Sequence, residues 1–268
     1  MAEAPAPSLV AAVRAAVEEA AAHALGLWNH GLTRVERWEK EPGQPVCDAD
    51  IAIDALLKRA LGAILPEAGW LSEETADNPA RLEKRRLWVV DPIDGTKDFL
   101  AGKPGWAVSV ALVDAGEPVL GLLAAPARDE LWLGCKGGAT TRNGVPVHVR
   151  PRADLAGARI PDDRLSREDR DLVLVAKPNS IALRMAMVAA GEADLIATLR
   201  WGNEWDIAAA ALIARGAGAV VTDALGDPLR FNQPRPTAFG VLCCAPGIHA
   251  AAVERLAPRA RAVLGRAR

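Results

Sequence analysis

Apolar residues near the start of the chain recur at three- and four-residue intervals: Val10, Val13, Val17, Ala21 and Leu25. That spacing predicts an amphipathic helix running from Ser8, a good N-cap, to about Trp28. A second helix is expected after Asp50, with Ile51, Ala55, Leu56 and Leu61 as its buried stripe and Asp48 and Asp50 in capping positions. The period then shortens. Leu87 to Asp91 is a compact apolar run ending on acidic, Pro and Gly residues, which reads as a buried strand. Ala107–Val113 and Val119–Ala125 follow, separated by the hairpin-like Asp114-Ala115-Gly116-Glu117. Leu131–Leu133 adds a strand before an Asn143-Gly144 turn.

Beyond residue 170 the pattern alternates. Strands are predicted at Leu172–Ala176, Ala193–Thr198, Ala219–Thr222 and Phe239–Cys244. Helices are predicted at Ile181–Ala190, Asp206–Ala214 and about Ile248–Leu264. Strand–helix alternation of this kind builds an α/β layer. The fold class is therefore α/β in two halves. Residues 1–150 combine helices with a largely antiparallel sheet, residues 151–268 form the alternating half, and the Pro/Arg/Asp-rich stretch Arg150–Arg170 is the seam.

Composition narrows the class. The 268 residues carry 32 Lys plus Arg against 34 Asp plus Glu, so a net charge of -2 gives no general electrostatic reason to bind nucleic acid or an anionic membrane. Cys47, Cys135, Cys243 and Cys244 form no C-x-x-C pair or disulfide framework, which suits a reducing cytoplasm. The N-terminus lacks the basic and apolar regions of a signal peptide, and no apolar run is long enough to suggest a membrane span. His23, His30, His148 and His249 are too scattered to suggest a zinc cluster.

The densest chemical signal is Asp91-Pro92-Ile93-Asp94-Gly95-Thr96. A buried strand delivers Asp91 at its end, and the Pro and Gly turn the chain so that Asp94 can face the same point. Two carboxylates about 4 Å apart repel by about 4 kcal/mol at an effective dielectric of about 20. A hard divalent cation removes that penalty, and oxygen ligands suit Mg2+. Gly95 and Thr96 would offer N–H groups and a hydroxyl to a phosphate. Alone, the motif serves equally well as an exposed β-turn. Glu73-Glu74 alone reads as a solvated turn or helix start, Asp206 as a simple N-cap, and Asp48-Ala49-Asp50 as another cap.

In combination and in this order, these segments resemble the inositol monophosphatase family of lithium-sensitive phosphomonoesterases. Asp91-Pro-Ile-Asp-Gly-Thr96 is similar to the first family signature. Trp205-Asp206-x-Ala-Ala, followed by Gly216-Ala-Gly-Ala-Val-Val-Thr-Asp223, is similar to the second. The resemblance implies a layered α/β/α/β/α sandwich, commonly a homodimer. It implies two or three Mg2+ ions, with lithium as an inhibitor. Glu73, Asp91 and the Ile93 carbonyl would hold one ion; Asp91, Asp94 and Asp206 would hold a second. Asp50 and Glu73 would serve a third or orient water. Catalytic roles fall to Glu73, Thr96 and Asp50: a metal-activated water, deprotonated with help from Glu73 and Thr96, would attack phosphorus in line.

Departures from the family pattern bear on the substrate, a small phosphorylated metabolite. Inositol-specific members carry a glutamate seven residues before the second-motif aspartate, where this chain has Leu199. Cys47 stands where a Thr is common beside Asp50. Thr96-Lys97-Asp98-Phe99 and Ser180-Ile-Ala-Leu-Arg184 are similar to segments of the bacterial 3'(2'),5'-bisphosphate nucleotidases. That likeness implies Gly95, Thr96, Ser180 and Arg184 as substrate-binding residues and adenosine 3',5'-bisphosphate as the substrate. Inositol 1-phosphate and histidinol phosphate are the alternatives within the chemistry. A non-catalytic binding partner of the transcription machinery is the alternative outside it. The C-terminal arginines (Arg255, Arg259, Arg261, Arg266, Arg268) read as a solvated helix face rather than an RNA site.

Overall fold

A computed structural model describes residues 3–28, 37–41 and 44–266; His30 and Arg268 lie outside them. In chain order the first half comprises α1 (Pro7–Leu27), β1 (Arg37–Glu41), β2 (Gln44–Cys47), α2 (Asp48–Ile64), β3 (Gly69–Ser72), β4 (Arg86–Asp94), α3 (Thr96–Leu100), β5 (Ala107–Asp114), β6 (Glu117–Ala125), β7 (Glu130–Cys135), β8 (Thr141–Arg142) and β9 (Val145–Pro146). The second comprises β10 (Arg159–Pro161), β11 (Val173–Val175), α4 (Ile181–Ala189), β12 (Leu195–Ala197), β13 (Trp201–Asn203), α5 (Glu204–Gly216), β14 (Val220–Thr222), β15 (Thr237–Phe239), β16 (Leu242–Cys244) and α6 (His249–Arg266).

β3 to β9 form one seven-stranded sheet in sequence order, parallel between β3 and β4 and antiparallel elsewhere. Its central strands are buried on both faces, which explains their near-continuous apolar runs. Alternation sorts the side chains. Trp88, Val90, Val108, Val110 and Leu112 pack with α1 and α2, while Leu87, Val89, Ala111 and Val113 pack with α4 and α5. Ala208–Ala211 lets α5 approach very closely: a Cβ added at Gly121 would lie 2.7 Å from the Ala209 carbonyl oxygen. On the far side of α4 and α5 lies a second sheet in the order β12-β16-β14, covered in turn by α6. The five layers are those the family resemblance implies.

Both predicted hairpin turns are present. Ala115 and Gly116, and again Asn143 and Gly144, take positive φ values, as a two-residue hairpin turn demands. Four predicted elements differ. α1 starts at Pro7 with Ala6 as the N-cap, not Ser8. Asp48 and Asp50 lie inside the first turn of α2, whose N-cap is Cys47. Asp206 likewise lies inside α5, which Asn203 caps. The run Phe239–Cys244 is broken at Gly240 (φ 72°), so β15 pairs with β13 while β16 joins the second sheet. The seam region is pinned: β10 pairs in parallel with β11, and Arg159 and Arg152 both reach Asp194. Arg255 and Arg259 of α6 are bound to Asp171 and Asp169 rather than solvated.

Candidate metal centre and active-site cavity

β3 and β4 run side by side with Ser72 opposite Val90, so Glu73 and Asp91 leave neighbouring strands at the same level. The Glu73 N–H donates to the Val90 carbonyl at 3.3 Å. Asp91 continues the Leu87–Val89 face of β4 and therefore points toward α5. After it the strand bulges, the Ile93 N–H donates to Asp91 Oδ1 at 3.0 Å, and Asp94 rejoins the ladder opposite Ala107. Gly95 has φ 98°, and a Cβ there would lie 2.7 Å from the Gly105 carbonyl oxygen. The glycine is thus fixed by both conformation and space.

Three helix starts converge on this turn. In α5, Asp206 folds back to accept the Asn203 N–H at 3.1 Å. In α2, Asp50 does the same for Cys47, accepting its N–H and its thiol at 2.9 Å each. Each carboxylate occupies the third helical position, the acidic end of a capping box. Asp94 serves α4 from outside, accepting the Ala182 N–H at 2.8 Å, the Ile181 N–H at 3.3 Å and the Ser180 hydroxyl. The positive ends of the longer helices favour anions here and partly offset the concentrated negative charge.

The offset is incomplete. One carboxylate oxygen each from Glu73, Asp91 and Asp206 lie within 4.8 Å of one another. Burial first, then the charges of Glu73, Asp94, Asp206 and Asp50, push the Asp91 carboxyl well above its ordinary range. Burial, with repulsion from Asp94, pushes Asp206 up to about 7, against the pull of the Asn203 N–H and of Arg200 and Arg184. Burial also raises Asp94, although Ser180, the α4 N–H groups and Arg184 hold it down in part. Among these donors there is no His or Cys. A buried, oxygen-only, mutually repelling set of this kind fits a hard divalent cation.

The cluster opens into a cavity of about 700 Å³. Of the residues singled out from the sequence, Glu73, Asp91, Ile93, Asp94, Gly95, Thr96, Arg184 and Asp206 line it, as does Leu199. Asp50 and Ser180 do not. Asp50 sits behind Thr96, whose Oγ1 is 3.2 Å from Asp50 Oδ1 and 3.0 Å from the Ile93 carbonyl. Ser180 is fully buried, and its hydroxyl is committed to Asp94 and to the Leu183 N–H, so a direct substrate contact by Ser180 is not supported. Residues not singled out also reach the wall: Lys177, Asn179, Arg200 and Asn203. Asp54, one turn after Asp50 on the same face of α2, takes the Ser72 and Thr75 hydroxyls on either side of Glu73. The helical spacing of Asp50 and Asp54 was a visible signal for it.

The sequence profile of the Inositol monophosphatase family matches residues 5–262. The chain belongs to this family. The 3'(2'),5'-bisphosphate nucleotidase CysQ of Escherichia coli K12 is 34% identical over 206 residues, covering 72% of this chain and 82% of that protein. Inositol monophosphatase 2 of Solanum lycopersicum is 30% identical over 239 residues, covering 82% and 90%. Among solved structures, the extragenic suppressor protein suhB of Bartonella henselae superposes with a TM-score of 0.80 at 25% identity, over 93% of this chain and 98% of that one. As an inositol monophosphatase family member the chain is a metal-dependent phosphomonoesterase of an Mg2+-dependent family. Among the described residues no helix is long and apolar enough to cross a membrane.

Proposed function

We propose that the chain removes the 3'-phosphate of adenosine 3',5'-bisphosphate, with Mg2+ held by Glu73, Asp91, Asp94, Asp206 and the Ile93 carbonyl. The observation that carries the substrate is Arg184. Its side chain is only 9% exposed, yet it lines the cavity that the acidic cluster opens into. Its hydrogen bonds go to the carbonyls of Ser180 (3.3 Å) and Asn179 (3.1 Å), and no ion pair to a carboxylate is present among the described residues. Burial lowers its pKa, and Asp94 is the strongest charge acting the other way. With the charge of Asp94 answered by Mg2+, this guanidinium is left to a second anionic group of the substrate. Leu199, on the same wall, offers no acceptor for a sugar hydroxyl, which weighs against inositol phosphate. The identity to proteins described as bisphosphate nucleotidases supports the same reading.

Held by Glu73, Asp91, Asp94 and Asp206, Mg2+ would neutralise these carboxylates, acidify a water molecule and offset charge on the transferring phosphoryl group. The protein's own residues do the positioning. Thr96 lines the cavity, and by donating to Asp50 Oδ1 its oxygen becomes an acceptor that orients the attacking water. The Glu73 carboxylate takes that water's proton. Asp50 locks Thr96 from behind, and Ser180 fixes Asp94 against α4.

Phosphate release from adenosine 3',5'-bisphosphate, inositol 1-phosphate and histidinol phosphate, with Mg2+ and with chelator, tests this reading. A chelator-sensitive preference for the bisphosphate is the expected outcome. Preference for either monophosphate would overturn the role given to Arg184. No turnover of any of the three would favour a binding role.

A further inference from the structure

Glu73 and Asp206 must be held a few ångströms apart although they come from distant parts of the chain, and one buried arginine links their two segments. Arg81 is 2% exposed. Its Nε and Nη2 fork onto Asp77, at 2.6 and 3.0 Å, in the segment that follows Glu73. Its Nη1 donates to Asn232 Oδ1 at 2.6 Å and its Nη2 to the Gln233 carbonyl at 2.9 Å. The N–H groups of Asn232 and Gln233 donate in turn to Glu204, at 2.7 and 2.9 Å. Glu204 is 1% exposed and lies in the first turn of α5, which carries Asp206.

We propose that Arg81 is a positioning residue for the metal centre: it fixes the segment bearing Glu73 against the helix start bearing Asp206. A planar guanidinium satisfies three partners at set angles, which an ammonium cannot reproduce. The consequence for chemistry is the separation of two ligand carboxylates, not merely the stability of the loop. Partners that hydrogen-bond a metal ligand directly typically change metal affinity by about 10- to 100-fold, and Arg81, acting at one remove, belongs at the lower end of that range. The inference rests on reading Glu73 and Asp206 as metal ligands.

The test is calorimetric titration of Mn2+ into the chelator-treated full chain, with melting temperature measured on the same samples. The variants are Arg81→Met, Arg81→Lys and, as a control for a lost buried ion pair elsewhere, Arg159→Met. Arg81→Met is expected to weaken Mn2+ binding by about 10-fold, with Arg81→Lys in between. Arg159→Met should melt lower and bind as the wild type does. If Arg81→Met melts lower but binds with unchanged affinity, Arg81 is structural only and the inference fails. Should Arg81→Met not fold, wild-type affinity in Arg81→Lys overturns it equally. A wild-type chain that binds no Mn2+ would overturn the metal reading itself, and the inference with it.

Discussion

Two carboxylates in this protein, Asp91 and Asp194, are each about 1% exposed, yet burial has opposite consequences for them. Around Asp194 burial would raise the pKa, but the hydrogen bonds and charge of Arg159, with the charge of Arg152, outweigh it and hold the carboxyl below its ordinary value. Around Asp91 burial raises the pKa and the nearest charges, from Glu73, Asp94, Asp206 and Asp50, raise it further. One carboxylate has its counter-charge inside the chain. The other is surrounded by its own kind, an arrangement that suits a cation from outside. Buried acidity alone therefore says little about function, and the sign of the neighbours says most.

The largest effect that separates the two sites is on turnover. Asp91→Asn should lower Mg2+-dependent phosphate release by about 10³-fold or more, the scale of losing a principal electrostatic contact. In chelator it should melt no lower than the wild type, because it relieves repulsion; a marked fall in melting temperature would break the comparison. Asp194→Ala should do the reverse. It leaves Arg159 unpaired at a partly exposed position and should cost about 2–3 kcal/mol of stability in denaturant unfolding, with the Mg2+ activation midpoint unchanged. Arg184→Met should reduce the preference for bisphosphate over monophosphate substrates by about 10- to 100-fold, as loss of a charge-assisted hydrogen bond would. An equal loss on both substrate types in competition assays would remove Arg184 from the second-anion role.

The smallest effect is the pH dependence of stability. The folded pKa of Asp194 is depressed, so its contribution is present above the unfolded value near 3.8 and is lost as pH falls through the folded one. Melting curves of Asp194→Asn should accordingly fall less steeply than wild type below that value. A steeper fall would mean that Arg159 is not its effective partner.

Much of this is legible in the sequence alone. The strand ending at Asp91 and the Pro/Gly turn behind it follow from period and turn chemistry, because a sheet buried on both faces leaves a continuous apolar run. The antiparallel hairpins were written in Ala115-Gly116 and Asn143-Gly144. The roles of Asp50 and Asp206 at their helices were partly hidden. Both acids read as caps, whereas the caps are Cys47 and Asn203, three residues earlier; the Asn203-x-x-Asp206 spacing was the available signal. Arg81 could not be found that way. An arginine in a polar stretch becomes a buried bridge only through Asn232 and Gln233, some 150 residues away, and spacing carries no such information. Ser180 misled for a related reason: a hydroxyl at a helix start can face a ligand or cap the helix, and the choice depends on where Asp94 arrives.

Asp50, Asp94 and Asp206 each hold a helix start as well as adding negative charge to the acidic centre, whereas Glu73 and Asp91 sit at strand ends. A lost helix cap costs about 1 kcal/mol, so selection for folding alone would keep the first three aspartates after selection for turnover had lapsed. Descendants of such a chain that turned to binding other molecules would shed Glu73 and Asp91 first. For any relative, those two positions are the more honest record of whether it is still an enzyme.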